Sequence, residues 1–265
     1  MKNLKYFLPV LFATVLVTSC TKVIDLKLGN DTGKLVIEAN ITNINGPQSI
    51  TLSQNVPFTS TNVYPPVSGA TVTVSDDKGN TYPFTETQSG TYSIKHLQAI
   101  FGSTYTMKVT TGGKTYTAVS TMPQPVILDS ISSKTDDFSK KSDVRNITVH
   151  LQDPAGVPNQ YRFVLYDNGV QIKAVFAFDD EFTDGRYLNF DLLQNETDIH
   201  PGDMVTVEMQ CIDRPVYTYW FTLSQQLRNG PGGGVTPSNP PTNITPATLG
   251  YFSAHTTQRI TLLVK

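Results

Sequence analysis

Side chains able to do chemistry are few and scattered in this chain. The four histidines, His96, His150, His200 and His255, stand far apart, and none has a histidine, cysteine or carboxylate at the spacings that build zinc sites. His150 falls on the polar side of an alternating segment and reads as a solvated histidine. The densest acidic run is Asp179-Asp180-Glu181-Phe182-Thr183-Asp184-Gly185. Hard oxygen ligands so close together could hold calcium, but the alternating spacing of a calcium loop is missing, so the run reads as a solvated hairpin turn. Asp180 and Glu181 could also share glycosidase acid–base work, which only their separation in space decides. No Gly-x-Ser-x-Gly elbow is present, and Gly232-Gly233-Gly234 neither precedes Lys-Ser or Lys-Thr nor opens a helix. Aromatic faces stack on sugars and pack into protein grooves, which makes Tyr217, Trp220, Tyr251 and Phe252 the candidate ligand- or partner-binding residues. Trp220 shares a helical apolar stripe, which assigns it first to the core. Tyr217 lies off that stripe and is expected to be exposed. A non-enzymatic chain is expected, with no catalytic residue, no metal and no cofactor.

The two cysteines have different settings. Cys211 is in phase with Val205, Val207 and Met209 and is expected as a buried strand residue, because unpaired cysteine is among the most buried types. Cys20 follows a positive n-region with Lys2 and Lys5, and then Tyr6 to Val17, apolar apart from Thr14. That run is too short to cross a bilayer comfortably and reads as a signal peptide. It ends in Val17-Thr18-Ser19-Cys20, which resembles the lipobox of bacterial lipoproteins. A thiol in that position accepts a diacylglycerol as a thioether, and the small residues fit a peptidase that cuts before Cys20. A signal peptide is therefore expected over residues 1–19, a tether lipidated at Cys20 over 20–33, and a membrane anchor of several acyl chains, each contributing about 0.8 kcal/mol per buried methylene. With Cys20 acylated, Cys211 has no partner in the chain.

The elements around these residues are legible from composition and alternation. The 265 residues are 38% hydrophobic and 16% charged, which excludes disorder throughout, and a single long apolar run excludes a polytopic membrane protein. A formal charge of -2 gives no reason to expect nucleic acid. Gly 18 and Pro 17 point to many chain reversals, hence to a mainly antiparallel all-β fold. Alternating sets such as Leu35, Ile37, Ala39 and Ile41, or Tyr105, Met107 and Val109, give roughly seven strands before residue 123 and an Ig-like β-sandwich over 34–122. Met122-Pro123-Gln124-Pro125 reads as a linker in preference to an edge turn. A larger β-rich domain is expected over 126–265. Its longest strict alternation is Val170, Ile172, Ala174, Phe176 and Phe178, entered through the hairpin turn Asp167-Asn168-Gly169. Val216, Tyr219, Trp220, Leu223 and Leu227 recur at helical steps, with Pro215 at the first turn and Gly230 at the end. Ile260 to Val264 closes the fold, and the Pro/Gly loop 229–246 is expected to contact a partner.

Several segments together carry a family resemblance. Cys20-Thr21-Lys22-Val23-Ile24-Asp25-Leu26, Lys34-Leu35-Val36-Ile37-Glu38, Ser68-Gly69-Ala70-Thr71-Val72-Thr73-Val74-Ser75-Asp76, Gly90-Thr91-Tyr92, Thr104-Tyr105-Thr106-Met107 and Leu249-Gly250-Tyr251-Phe252-Ser253-Ala254 occur in the order and spacing of one family. The chain resembles a Bacteroidota outer-membrane lipoprotein family catalogued as domain of unknown function 4249. Residues 69–119 also resemble a carboxypeptidase-regulatory-like β-sandwich. The resemblance implies an outer-membrane lipoprotein, with a TonB-dependent receptor as partner and an accessory role in capturing a small-molecule or glycan nutrient. It supplies no catalytic motif. No acidic residue precedes Asp25 after the cysteine, so the periplasmic face and the cell surface both stay open. The rival readings are an envelope glycan hydrolase and a structural or adhesive surface module.

Overall fold

The computed structural model describes residues 32–57, 60–61, 63–135, 143–194, 197–227 and 238–265. The expected signal peptide over 1–19, Cys20, nearly all of the expected tether and residues 229–237 of the Pro/Gly loop lie outside the described residues. The alternating segments form strands as expected. The first seven are β1 (Leu35–Thr42), β2 (Gly46–Gln54), β3 (Thr71–Asp76), β4 (Thr81–Gln88), β5 (Thr91–Leu97), β6 (Thr104–Thr111) and β7 (Lys114–Thr121). Their inward residues, among them Ile37, Ile41, Leu52, Val74, Tyr92 and Met107, are wholly or almost wholly buried in one core. β4 pairs through its first half, up to Phe84, with β3 and through its second half, from Thr85, with β5, the second pairing carrying a register shift between Glu86 and Gln88. This change of partner within one strand joins the two halves of the sheet, and both cover the same core.

A second core begins beyond the prolines. Met122 is fully buried in the first core and Val126 is buried in the second, so Pro123 and Pro125 mark the passage between them. Two sheets cover this second core. One contains β8 (Ser130–Thr135), β9 (Arg145–Gln152) and β13 (Tyr187–Leu192), in the order β13-β9-β8. The other contains β10 (Gln160–Asp167), β11 (Val170–Gln171), β12 (Phe176–Asp179), β14 (Met204–Cys211) and β17 (Gln258–Leu263), with β10 and β14 central. Cys211 lies in this core as a free, buried thiol, and burial pushes its pKa up.

Three expectations need correction. The alternation from Val170 to Phe178 is two short strands, not one. Between the pairs Tyr166↔Gln171 and Phe163↔Phe176 the register slips by two residues, and an even slip keeps Ile172 and Phe176 on the core side. The hairpin itself forms, with Asn168 and Gly169 both at positive φ (48° and 82°). The acidic run is no hairpin turn. It leaves β12 in one sheet and enters β13 in the other, and such a crossing carries side chains inward. Finally, the segment after the helix does not stay with residues 126–265. β15 (Ile244–Thr245) pairs with β7, and β16 (Leu249–His255) pairs with β1 in parallel, giving a nine-stranded sheet in the order β15-β7-β6-β3-β4-β5-β2-β1-β16. Ile244, Phe252 and Ala254 are thereby part of the first core.

Candidate functional site

The one helix among the described residues, α1 (Arg214–Leu227), lies where the two cores meet and packs on β10, β12 and β16. Asp213 starts it. One carboxylate oxygen accepts from the Val216 N–H at 3.2 Å, a helix cap. The other accepts from the Ser120 hydroxyl at 2.7 Å and the Thr121 N–H at 3.0 Å, both on β7. One residue thus caps the helix and fastens it to the first sheet. Burial raises the Asp213 pKa, against those three donors.

The candidate aromatic residues gather on this helix, but not as the stripe implies. Tyr217, expected outside, is buried at 6% exposure, because α1 is covered on two sides and not one. Its ring stacks on Phe221 (centroids 5.4 Å apart), and burial together with Asp179 pushes its pKa up to about 12. Phe252 is fully buried in the first core and presents no face to a ligand. Trp220, Tyr219 and Tyr251 do form a group. Their ring centroids lie 5.0–5.3 Å apart in tilted and edge-on arrangements. Tyr251 is buried beneath, whereas Tyr219 and Trp220 are half-buried.

The cation on this platform was not visible in the sequence. The guanidinium of Arg162, from β10, sits 3.7 Å from the Trp220 ring centroid and donates to the Gln210 Oε1 at 2.9 Å. Gln210 donates in turn to Glu208 at 2.6 Å, and Glu208 accepts from Arg259 at 2.6 and 2.9 Å. Burial raises the Glu208 pKa, but the donors Gln210 and Arg259 outweigh it and leave the carboxyl below its ordinary value. A polar chain therefore runs from the aromatic platform across β14 to the edge strand β17. Beside the platform is a shallow cleft of about 320 Å³ whose walls include Glu38, Tyr64, Tyr219, Asn239 and Pro240. Of the platform, Tyr219 lines this cleft, while Arg162 covers a face of Trp220; the rings of Tyr64 and Tyr219 with the Glu38 carboxylate can bind a polar ligand with flat apolar faces.

Two further clusters offer chemistry. Ser132 Oγ lies 2.7 Å from His150 Nε2, and the other ring nitrogen meets Asn189 Oδ1. That is the linear order of nucleophile, base and orienting group. It lies on the outward face of β8, β9 and β13, beside the similar row Lys134–Asp191–Thr148. β9 pairs its backbone with both neighbours and offers no free N–H donors for an oxyanion. This face reads as rows of cross-strand polar contacts. His150 is thus hydrogen-bonded on both sides and not merely solvated.

The second cluster unites Asp180 and Asp184 of the acidic run with Asp153, just after β9, their ligand oxygens lying within 4.8 Å of one another. Asp153 and Asp180 are buried at 1% and 5% exposure, and Asp184 is exposed. Asp153 accepts from the Tyr161 hydroxyl and from the Gly185 N–H at 2.9 Å. Asp180 accepts from the Asn159 N–H at 2.8 Å, and Asp184 from the Gly156 N–H at 2.8 Å. Burial raises the Asp180 pKa, and the charges of Asp153 and Asp184 raise it further. Glu181 is exposed and belongs to the rim of the adjoining pocket with Arg214, which pairs with Asp179 at 2.8 Å.

Comparison with known proteins narrows identity more than activity. No curated protein matches in sequence. Among solved structures, the adhesin InvE of Yersinia pseudotuberculosis is similar at 20% identity with a TM-score of 0.21, the match covering 68% of this chain and 57% of that one. The chain thus spans little more than half of that structure's length, and so loose a superposition carries no argument. A family model described as a domain of unknown function, DUF4249, matches residues 21–261, nearly all of the stretch that builds both cores, and the chain belongs to that family.

Proposed function

We propose that this protein is a non-enzymatic lipoprotein of the outer membrane that serves as an accessory binding subunit of a TonB-dependent nutrient receptor. The observation that carries the reading is the position of the lipobox. Val17-Thr18-Ser19-Cys20 stands immediately before residue 21, where the family domain begins. A cysteine there is placed to anchor the whole β-rich body through a short polar stretch. The platform of Tyr219, Trp220, Tyr251 and Arg162 supports a binding role. It combines ring faces with a cation whose hydrogen bond to Gln210 holds it in place, as recognition of a small polar or glycan ligand requires.

Mild crosslinking of intact cells followed by purification tests the reading. An outer-membrane transporter should come down with the wild-type chain, and less of it with Trp220→Ala. Cys20→Ser should move the protein from the membrane to the soluble fraction. Recovery of no transporter under several growth conditions, or unchanged partitioning of Cys20→Ser, overturns the proposal.

A further inference from the structure

We propose that Asp153, Asp180 and Asp184 bind one calcium ion, with Asn159 and Thr183 completing the protein's share of its oxygen ligands. Three carboxylates brought within 4.8 Å, two of them buried, do not suffice on their own to make a site. A separate observation concerns Asn159. This residue is 5% exposed, and its side-chain Oδ1 is buried with no hydrogen-bond partner. A buried acceptor left unpaired is costly and calls for a partner, whether proton donor or cation.

The direction of that acceptor follows from register. Gln160 pairs with Asp179, so Asn159 stands opposite Asp180, and its carbonyl accepts from the Asp180 N–H at 3.2 Å. Residues directly opposite in an antiparallel pair send their side chains to the same face. Asn159 is also two residues before Tyr161, whose side chain leaves β10 on that face and whose hydroxyl reaches Asp153. The unpaired amide oxygen therefore projects into the space that Asp153 and Asp180 border. A second buried and unpaired oxygen, Thr183 Oγ1, lies in the loop between Asp180 and Asp184, and the Thr183 N–H donates to the Asp180 carbonyl at 2.8 Å.

The ligand chemistry selects the ion. Three carboxylates, one amide oxygen and one hydroxyl are all hard oxygen donors, with no nitrogen or sulfur for zinc. Calcium accepts six to eight oxygens in irregular geometry, and water fills the remaining positions on the exposed Asp184 side.

The test uses the full chain, stripped with EDTA and dialysed. Calcium chloride at about 5 mM, above the dissociation constants typical of extracellular calcium modules, should raise the melting temperature, and calorimetric titration should give one site per chain. Magnesium at the same concentration should give a smaller rise. Asp184→Asn keeps an acceptor for the Gly156 N–H and should melt like the calcium-free wild type, yet bind calcium at least about tenfold more weakly. Thr183→Val should also weaken binding. The proposal is overturned by folded wild-type protein that gives neither heat nor a melting shift with calcium, or by an undiminished shift in Asp184→Asn.

Discussion

His255 is enclosed at 3% exposure, with its Nδ1 2.9 Å from the Ser253 hydroxyl. Burial, assisted by the positive charge of Arg162 and opposed by Glu208, lowers its pKa from 6.5 to about 4. Between those values the unfolded chain takes up a proton that the folded chain refuses. This contribution is therefore complete above pH 6.5 and is lost as the pH falls toward 4. Urea melts should show it as a loss of about 2 kcal/mol between pH 7 and pH 5. His255→Gln should remove that part of the slope, and an unchanged slope would exclude His255 as its source. The sequence offered no warning of this role, because the strand bearing His255 is buried by a neighbour from the other end of the chain. The same reason hid Arg162. Its position on β10 is ordinary for an outward polar residue until α1 lays Trp220 over it. Asp153 and Asp180 likewise come together only because the acidic run crosses between sheets, which alternation does not report. Cys211, by contrast, was legible, since its phase with three apolar neighbours survives in the folded strand.

Individual elements show which local signals are strong. Six of the seven strands of the first half follow from period-two alternation and Gly- or Asp-bearing turns and appear close to their expected places, while β4 carries no such alternation to mark it. The helix follows from its three- and four-residue spacing, with Pro215 in its first turn as expected and Asp213 as its cap. Asp213→Ala removes the cap and leaves Ser120 without its acceptor, and should cost about 1–3 kcal/mol in urea unfolding. Ser120→Ala alone should cost less, because the cap remains. The pairing of β1 with β16 makes a sharper demand. Gly250 has φ +96°, and a Cβ there would stand 1.9 Å from the Ile37 carbonyl oxygen, a contact that only backbone displacement relieves. Gly250→Ala should therefore destabilise the protein by more than about 2 kcal/mol. A loss below 1 kcal/mol, measured by chemical denaturation, would mean that the parallel pair is not formed as described.

At the scale of the molecule, alternation on either side of Pro123 and Pro125 leads to the expectation of two β-rich domains, whereas Thr32–Lys265 form one compact unit that contains separate large buried clusters on the two sides of the prolines. The path of the chain between them was not legible. Alternation in Leu249 to His255 identifies a strand but not its partner, and the partner is β1, more than two hundred residues earlier. Because the first core takes Ile244, Phe252 and Ala254 from the C-terminal part, residues 34–122 alone lack part of their interior. The full chain should unfold in one cooperative transition by calorimetry, and a fragment ending at residue 122 should show none. Two separate transitions in the full chain would show that the halves are independent. The parallel pair has a mechanical consequence as well. Seven residue pairs from Val36↔Leu249 to Thr42↔His255 lie side by side in one direction. A pull on the chain ahead of Leu35, resisted by the body that follows His255, slides one strand lengthwise against the other. All the rungs then bear the strain together, so a protein towed by its front end would resist being drawn out like a zip.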